Sequence, residues 1–280
     1  MCDFCVRHGD GGKWYFNAKN YSRRLVSIKR EEIRKQAKAE GGLADFNPQV
    51  MADEIIREAI EARDINPQGF PELKKRAEEI SQSMHFGQVV TLEEIQRIMD
   101  IAYPIARISC VCRRNMRGLP DKENFFCMGI GVGMYRWERW PETYRGGVQF
   151  MSPQEAKEWL AHVNKMGMVH TFWTFGTPYI GGVCNCEYPA CIGIRNRLDY
   201  DLRILIKGEW VARIDLDKCS GCGACYERCQ FGALKREVSL DKANIDMMKC
   251  FGCGLCATSC KAKAITMKER GIFPSLRLSW

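Results

Sequence analysis

The sequence has no continuous apolar run near the roughly 18 residues that a helix needs to cross a membrane. It also lacks the charged and then apolar leader that is typical of secreted proteins. No arrangement of residues suited to general acid or base catalysis stands out, and no nucleic-acid recognition motif is present. With 16 cysteines, a chain without these features is expected in a reducing compartment, the cytoplasm. No catalytic residue is predicted.

The charge balance is moderately basic. The chain carries 42 Lys and Arg against 34 Asp and Glu, a formal net charge of +8. Basic residues are interspersed with acidic ones, as in Lys29-Arg30-Glu31-Glu32, which favours solvated helix faces over a nucleic-acid surface. A second interpretation of the excess is contact with an acidic protein partner.

Eight cysteines form two runs of identical spacing near the C-terminus. Both runs, over 219–229 and 250–260, read C-x2-C-x2-C-x3-C. The first three thiolates of such a run converge on one [4Fe-4S] cluster, whereas the fourth ligates the other cluster. Glycines inside the runs let the backbone wrap closely, at Gly221, Gly223, Gly252 and Gly254.

We therefore predict two clusters with exchanged fourth ligands. The first set is Cys219, Cys222, Cys225 and Cys260, and the second is Cys250, Cys253, Cys256 and Cys229. Zinc and disulfides are the alternatives, but tetrahedral zinc sites would leave some of the eight cysteines without a metal. Each oxidised cluster with its four thiolates carries about two negative charges, so two clusters halve the positive excess of the chain.

Residues 211–272 resemble the bacterial-type two-cluster ferredoxins in these cysteines and in the segments that follow them. Those segments are Phe231-Gly232-Ala233-Leu234 and Ala264-Ile265. The proline that usually follows the fourth cysteine is replaced by Gln230 and Lys261. The resemblance implies a ferredoxin-like fold and electron transfer. Replacement of the two prolines puts the rigidity of the turns after the fourth cysteines in question.

The other eight cysteines lie upstream, and mostly in close groups. They are Cys2, Cys5, Cys110, Cys112, Cys127, Cys184, Cys186 and Cys191. In an extended strand the two cysteines of a C-x-C element share a face, and in a loop both can reach one metal. The middle region, with a C-x-C-R element and a later C-N-C element, resembles the corresponding region of ferredoxin-type proteins of anaerobes. We predict at least one further metal centre, chiefly from Cys110, Cys112, Cys184, Cys186 and Cys191, with Cys2, Cys5 and Cys127 available for another.

Ordinary structural roles compete with these assignments. The upstream cysteines are alternatively buried free thiols, a common environment for cysteine. Cys127 stands alone and fits either role, whereas His170 fits a hydrogen-bonded core histidine better than a ligand. The glycines at 129, 131 and 133 suggest a dinucleotide loop only weakly, because no obvious helix or terminal acidic residue follows.

The predicted fold class is α+β, with a mixed α/β cysteine-rich domain before a two-cluster ferredoxin domain. The expected boundaries are 1–85 for an N-terminal Cys motif and helical region, 86–205 for the cysteine-rich domain, and 206–280 for the ferredoxin domain. Helices are predicted over 22–40 and 48–63. Thr91 and Ser152 cap two more helices, each leading into a strand, and 202–206 with 210–214 are predicted to form a hairpin.

These patterns predict an iron-sulfur electron-transfer protein, or the electron-transfer subunit of an anaerobic oxidoreductase complex. Redox subunits are the expected partners, without nucleic acid. The alternative is a catalytic reductase with an additional cluster or cofactor in residues 105–195.

Overall fold

The computed structural model describes residues 3–22, 58–118, 124–137, 147–174 and 178–277, apart from positions 60, 64 and 86, together with short stretches between 24 and 35. The helices predicted over 22–40 and 48–63 lie largely outside these residues. Across the described part of the chain, no helix is long and apolar enough to span a bilayer.

A seven-stranded sheet lies at the centre of the upstream region. Its strands follow the spatial order β4-β2-β3-β6-β5-β1-β7, and all neighbours are antiparallel except β1 and β7. The strands are β1 Gly87–Val90, β2 Ile105–Ile108, β3 Cys127–Ile130, β4 Gln149–Met151, β5 Val169–Thr174, β6 Ile180–Cys186 and β7 Leu205–Ile206. Antiparallel sheets together with helices agree with the predicted α+β class.

Helices lie between these strands and before them. They are α1 Asp3–His8, α2 Phe70–Met84, α3 Leu92–Met99, α4 Val111–Arg117, α5 Val132–Trp137, α6 Pro153–Lys165 and α7 Ile192–Leu198. Complete capping boxes open α3 at Thr91 and α6 at Ser152, in which the cap side chain and the third helical Glu satisfy each other's backbone N–H. Both helices lead into strands, as the sequence predicted.

Aromatic side chains of the N-terminal segment pack against the sheet. The rings of Trp14 and Tyr15 are fully buried, with centroids 5.4 Å and 5.3 Å from that of Phe172 on β5. The Tyr15 hydroxyl donates a 2.8 Å hydrogen bond to Glu94 on α3. Residues 3–21 therefore share a core with the sheet, and the division into segments 1–85, 86–205 and 206–280 stays a prediction.

The C-terminal region contains two small two-stranded sheets and two short helices. Its elements are β8 Trp210–Ile214, α8 Ala224–Arg228, β9 Leu234–Glu237, β10 Lys242–Ile245, α9 Leu255–Ser259 and β11 Ile265–Glu269. Strand β9 pairs with β10, and β8 pairs with β11, so the two ends of the region meet in one sheet.

The hairpin predicted over 202–206 and 210–214 is wrong. Strand β7 pairs in parallel with β1, whereas β8 pairs with β11. The segment between them is fixed by other partners: the Gly208 N–H donates to the Phe251 carbonyl, and Arg270 donates to the Gly208 carbonyl. These longer-range bonds replace the local pairing that the alternating pattern suggested.

The glycines of the 129–133 segment have a packing role. Helix α5 begins directly after Gly131, where the sequence had indicated no obvious helix. A Cβ at Gly133 would overlap the carbonyl oxygen of Gly181 on β6. The glycine therefore lets α5 lie directly on the strand that also carries Cys184 and Cys186.

We expect Gly133→Ala to destabilise the protein, because the new methyl group would force the backbone of the helix or of the strand to shift. Overpacking of this kind costs about 2 kcal/mol, which lowers the thermal unfolding midpoint by roughly 4 to 8 °C. Gly12→Ala is the control, since its Cβ would lie 3.7 Å from the nearest atom. Equal midpoints for the two variants would contradict the packing role.

Candidate functional site

The C-terminal region contains two pockets, each lined by four cysteines. The first pocket is lined by Cys219, Cys222, Cys225 and Cys260, and the second by Cys229, Cys250, Cys253 and Cys256. The structure thus brings together the members of each predicted ligand set, including the fourth cysteine of the other run.

Backbone N–H groups point at one thiol pair in each pocket. Ala243 and Ala264 donate to Cys219 and Cys260 at 3.5 Å and 3.3 Å. In the second pocket Ala212 and Ala233 donate to Cys250 and Cys229 at the same two distances. Hydrogen bonds to cluster sulfurs tune the reduction potential. Two of these alanines belong to segments that the sequence resemblance had singled out without giving them a role.

The glycines inside the runs have the predicted backbone freedom. All four adopt positive φ, between +69° and +79°. At two of them a side chain would also strike the neighbouring backbone: a Cβ at Gly221 would overlap the Asp241 carbonyl oxygen, and one at Gly252 the Trp210 carbonyl oxygen. Tight wrapping of each loop requires glycine there.

The two pockets differ in exposure. Cys222 of the first pocket is exposed, and the backbone N–H of Ala224 helps to lower its pKa. Cys250 and Cys256 of the second pocket are buried, and burial raises the pKa of Cys253 to about 12. The second pocket therefore lies deeper in the protein.

Two buried cations lie beside the second pocket. Arg270 is fully buried and donates to the carbonyls of Gly208, Trp210 and Cys250. Lys207 donates to a backbone carbonyl at 2.6 Å, and burial lowers its pKa to about 8. Buried cations need compensating negative charge, and a cluster bound by the thiolates of the second pocket would provide it.

Residues 212–261 match a protein family described as a 4Fe-4S dicluster domain. This match supports [4Fe-4S] binding and a ferredoxin-like function for the region. It covers 50 of 280 residues, so it assigns nothing to the upstream cysteines. No curated protein matches the chain.

A second cysteine assembly lies upstream of the dicluster domain. Six thiols from separate segments line one cavity, and we call this group the thiol ring. Its members are Cys110, Cys112, Cys127, Cys184, Cys186 and Cys191. The five upstream residues chosen chiefly from the sequence are all present, and Cys127 joins them.

The sheet and two helix starts position these thiols. Cys127 on β3 lies in register with Cys184 on β6, and their Sγ atoms are 3.7 Å apart. Cys186 follows two residues later on β6, in the alternation expected of a C-x-C strand. Cys110 and Cys191 occupy the N-cap positions of α4 and α7.

Only part of the ring ionises by itself. The pKa of Cys110 is lowered to about 3 and that of Cys186 to about 6, because each thiolate accepts hydrogen bonds from both neighbouring thiols. The pKa values of Cys112, Cys127 and Cys184 are raised, since they donate within the ring and are buried. A metal bound by these thiols would have to displace their remaining protons.

The thiol ring lines a cavity of about 500 Å³. Arg113 also lines it, with 3% of its surface exposed. Its guanidinium donates to Glu187 at 3.0 Å and lies 3.8 Å over the Phe126 ring, while its Nη1 is buried without a hydrogen-bond partner. Within the described residues, no three His, Cys, Asp or Glu side chains are arranged to hold a single metal ion.

The thiol ring and the second pocket share a hydrophobic wall. Cys186 and Cys191 belong to the same buried cluster as Phe231 and Phe251, and Cys229 packs against it. The two phenylalanine rings stack with centroids 4.1 Å apart. The ring cavity is therefore close to the buried pocket of the dicluster domain.

Gln230 links the second pocket to the loop of the thiol ring by one hydrogen bond. It follows Cys229, where two-cluster ferredoxins usually have proline. Its side-chain amide accepts from the Tyr188 N–H at 2.8 Å and donates to the Gly167 carbonyl at 2.7 Å. Tyr188 lies between Cys186 and Cys191 in sequence, so the replacement supplies a direct link to the loop that carries ring thiols.

The remaining candidates lie elsewhere. Cys5 is buried in the aromatic core with Phe4 and Trp14 and does not line the ring cavity, and Cys2 lies outside the described residues. His170 is buried and contacts Asn164 and Asn185, and desolvation lowers its pKa to about 4. Its hydrogen bonds agree with the core role favoured by the sequence.

We expect Cys229→Ser to impair the cluster bound by Cys250, Cys253 and Cys256, because the four thiols line one pocket. Low-temperature electron paramagnetic resonance of the reduced protein measures each cluster. Cys260→Ser is the matched control and should affect the first cluster instead. Signal loss confined to the first cluster in Cys229→Ser would overturn the exchanged-ligand assignment.

Proposed function

We propose that the chain is an iron-sulfur electron-transfer protein that works as a subunit of an anaerobic, cytoplasmic oxidoreductase complex. The observation that carries the proposal is that three cysteine-lined sites occur in one fold. They are the exposed first pocket, the buried second pocket, and the thiol ring, which shares a hydrophobic wall with the second pocket. At least one further metal centre is held by ring cysteines. Sixteen cysteines suit a reducing compartment.

Each [4Fe-4S] cluster, when bound, accepts and releases one electron between its 2+ and 1+ states. The chain's own residues exclude water and supply N–H donors to the sulfurs. Exposed Cys222 makes the first pocket the side facing a partner. The Phe231 and Phe251 stack occupies the wall between the second pocket and the thiol ring.

The proposed partners are redox protein subunits, with no role for nucleic acid. Net positive charge favours an acidic partner. Lys261 lies close enough to Cys222 to help lower the pKa of its thiol, so a positive side chain is present beside the exposed pocket.

A catalytic reductase is the second candidate, and the volume of the ring cavity favours it. A cavity of about 500 Å³ lies within the size range of small-molecule sites. Besides thiols, its lining includes Trp173, Ile192 and Ile204, which are suited to an organic molecule. Turnover of a small substrate by the isolated chain under reducing, anaerobic conditions would decide in favour of this candidate.

We expect the anaerobically reconstituted chain to take up more than two electrons reversibly, since the dicluster domain accounts for about two. Coulometric titration with a titanium(III) reductant measures the uptake. The double variant Cys110→Ser, Cys186→Ser should retain about two equivalents and lose the rest. An unreconstituted sample is the blank, and an absence of reversible uptake by the reconstituted chain would contradict electron transfer.

We expect Lys261→Glu to slow electron exchange with a small acidic ferredoxin several-fold at low salt, because it reverses a charge beside the exposed pocket. The exchange rates of the wild-type and Lys261→Glu proteins should become equal at high salt. Stopped-flow absorbance measures the rate, and Lys75→Glu, at an exposed position of α2, is the control. Equal slowing by both variants would argue against docking at the first pocket.

A further inference from the structure

We propose that all six thiols of the thiol ring bind one polynuclear iron-sulfur centre that is larger than a [4Fe-4S] cubane. This deepens the proposed function and rests on it for the class of metal. The proposal includes Cys127, which sequence alone left undecided, and excludes Cys5.

The shared cavity favours a single centre. All six thiols line the same cavity, and its lining does not divide them into a set of four and a set of two. The sheet register fixes Cys127 opposite Cys184, with their Sγ atoms 3.7 Å apart. A cubane uses four thiolates, so it would leave two of the six thiols without a metal.

The cavity is also larger than the pockets of the dicluster domain. Those four-thiol pockets measure about 20 Å³ each, whereas the cavity lined by the six thiols, and by residues such as Trp173 and Ile204, measures about 500 Å³. The additional space leaves room for more metal and sulfide than one cubane contains.

Arg113 provides an independent indication of an anionic occupant. Its guanidinium is buried, lines the cavity beside the ring thiols and donates to Glu187 at 3.0 Å. One nitrogen, Nη1, is buried without a partner. An unsatisfied buried donor is costly, and a sulfide or thiolate of the bound centre would complete its hydrogen bonding.

The test is the iron content of the full chain after anaerobic reconstitution with iron and sulfide. The dicluster domain accounts for about 8 irons and a third cubane would bring the total to about 12. We expect more than about 12, measured by metal analysis and by native mass spectrometry, which gives the mass of the assembled centre.

Single Cys→Ser variants at the six ring positions then assign the ligands. We expect each to lower the iron content while the paramagnetic signals of the dicluster domain persist. Cys5→Ser is the matched control, since it alters a buried cysteine outside the ring and should retain the wild-type content.

Other outcomes overturn the proposal in distinguishable ways. About 12 irons, with two ring variants that retain the full content, would indicate a four-ligand cubane. About 8 irons with an intact dicluster domain, or zinc in the ring, would exclude the centre and leave electron transfer by the dicluster domain standing. Fewer than about 8 irons without dicluster signals would instead count against the proposed function itself.

Discussion

Negative charge on closely packed sulfur is the constraint on which the rest of this structure depends. Thiolates that surround one site repel each other and lose hydration when buried. The protein counters this with backbone N–H donors, such as Ala212 to Cys250, and with buried guanidinium groups. Arg270 lies beside the second pocket and Arg113 beside the thiol ring. Both cysteine sites therefore have a buried guanidinium beside them, although they belong to different parts of the fold.

The seven-stranded sheet turns scattered cysteines into one assembly. Strand β6 carries Cys184 and Cys186, and the residue between them, Asn185, bonds to His170 on the neighbouring strand. That buried hydrogen bond helps to hold β5 and β6 in register. If β6 slipped by one residue, His170 would lose its hydrogen-bond partner on β6 and the two thiols would turn away from the cavity. A histidine that is not a ligand thereby helps to position two thiols.

Local signals were sufficient for the features that depend on neighbouring residues. The cysteine spacing predicted the two groups of four cysteines that each line one pocket, and the cap residues Thr91 and Ser152 predicted helices that the structure contains. Features set by distant partners were missed. The pairing of β8 with β11 joins segments more than fifty residues apart. Cys127 reaches the cavity lined by the other five thiols because β3 pairs with β6. Neither leaves a periodic pattern that a single sequence reveals.

Gln230 shows how a departure from a family pattern can be explained by tertiary structure. Proline after the fourth cysteine would stiffen the turn, but it has no side-chain donor or acceptor. Glutamine at this position reaches the Tyr188 N–H and the Gly167 carbonyl, both outside the dicluster domain. Lys261, at the equivalent position of the other run, is exposed. The two replacements therefore follow the surroundings of the two turns. Gln230 faces the thiol-ring loop and gains one hydrogen bond to it and another to Gly167, whereas Lys261 faces solvent beside the exposed pocket and carries a charge.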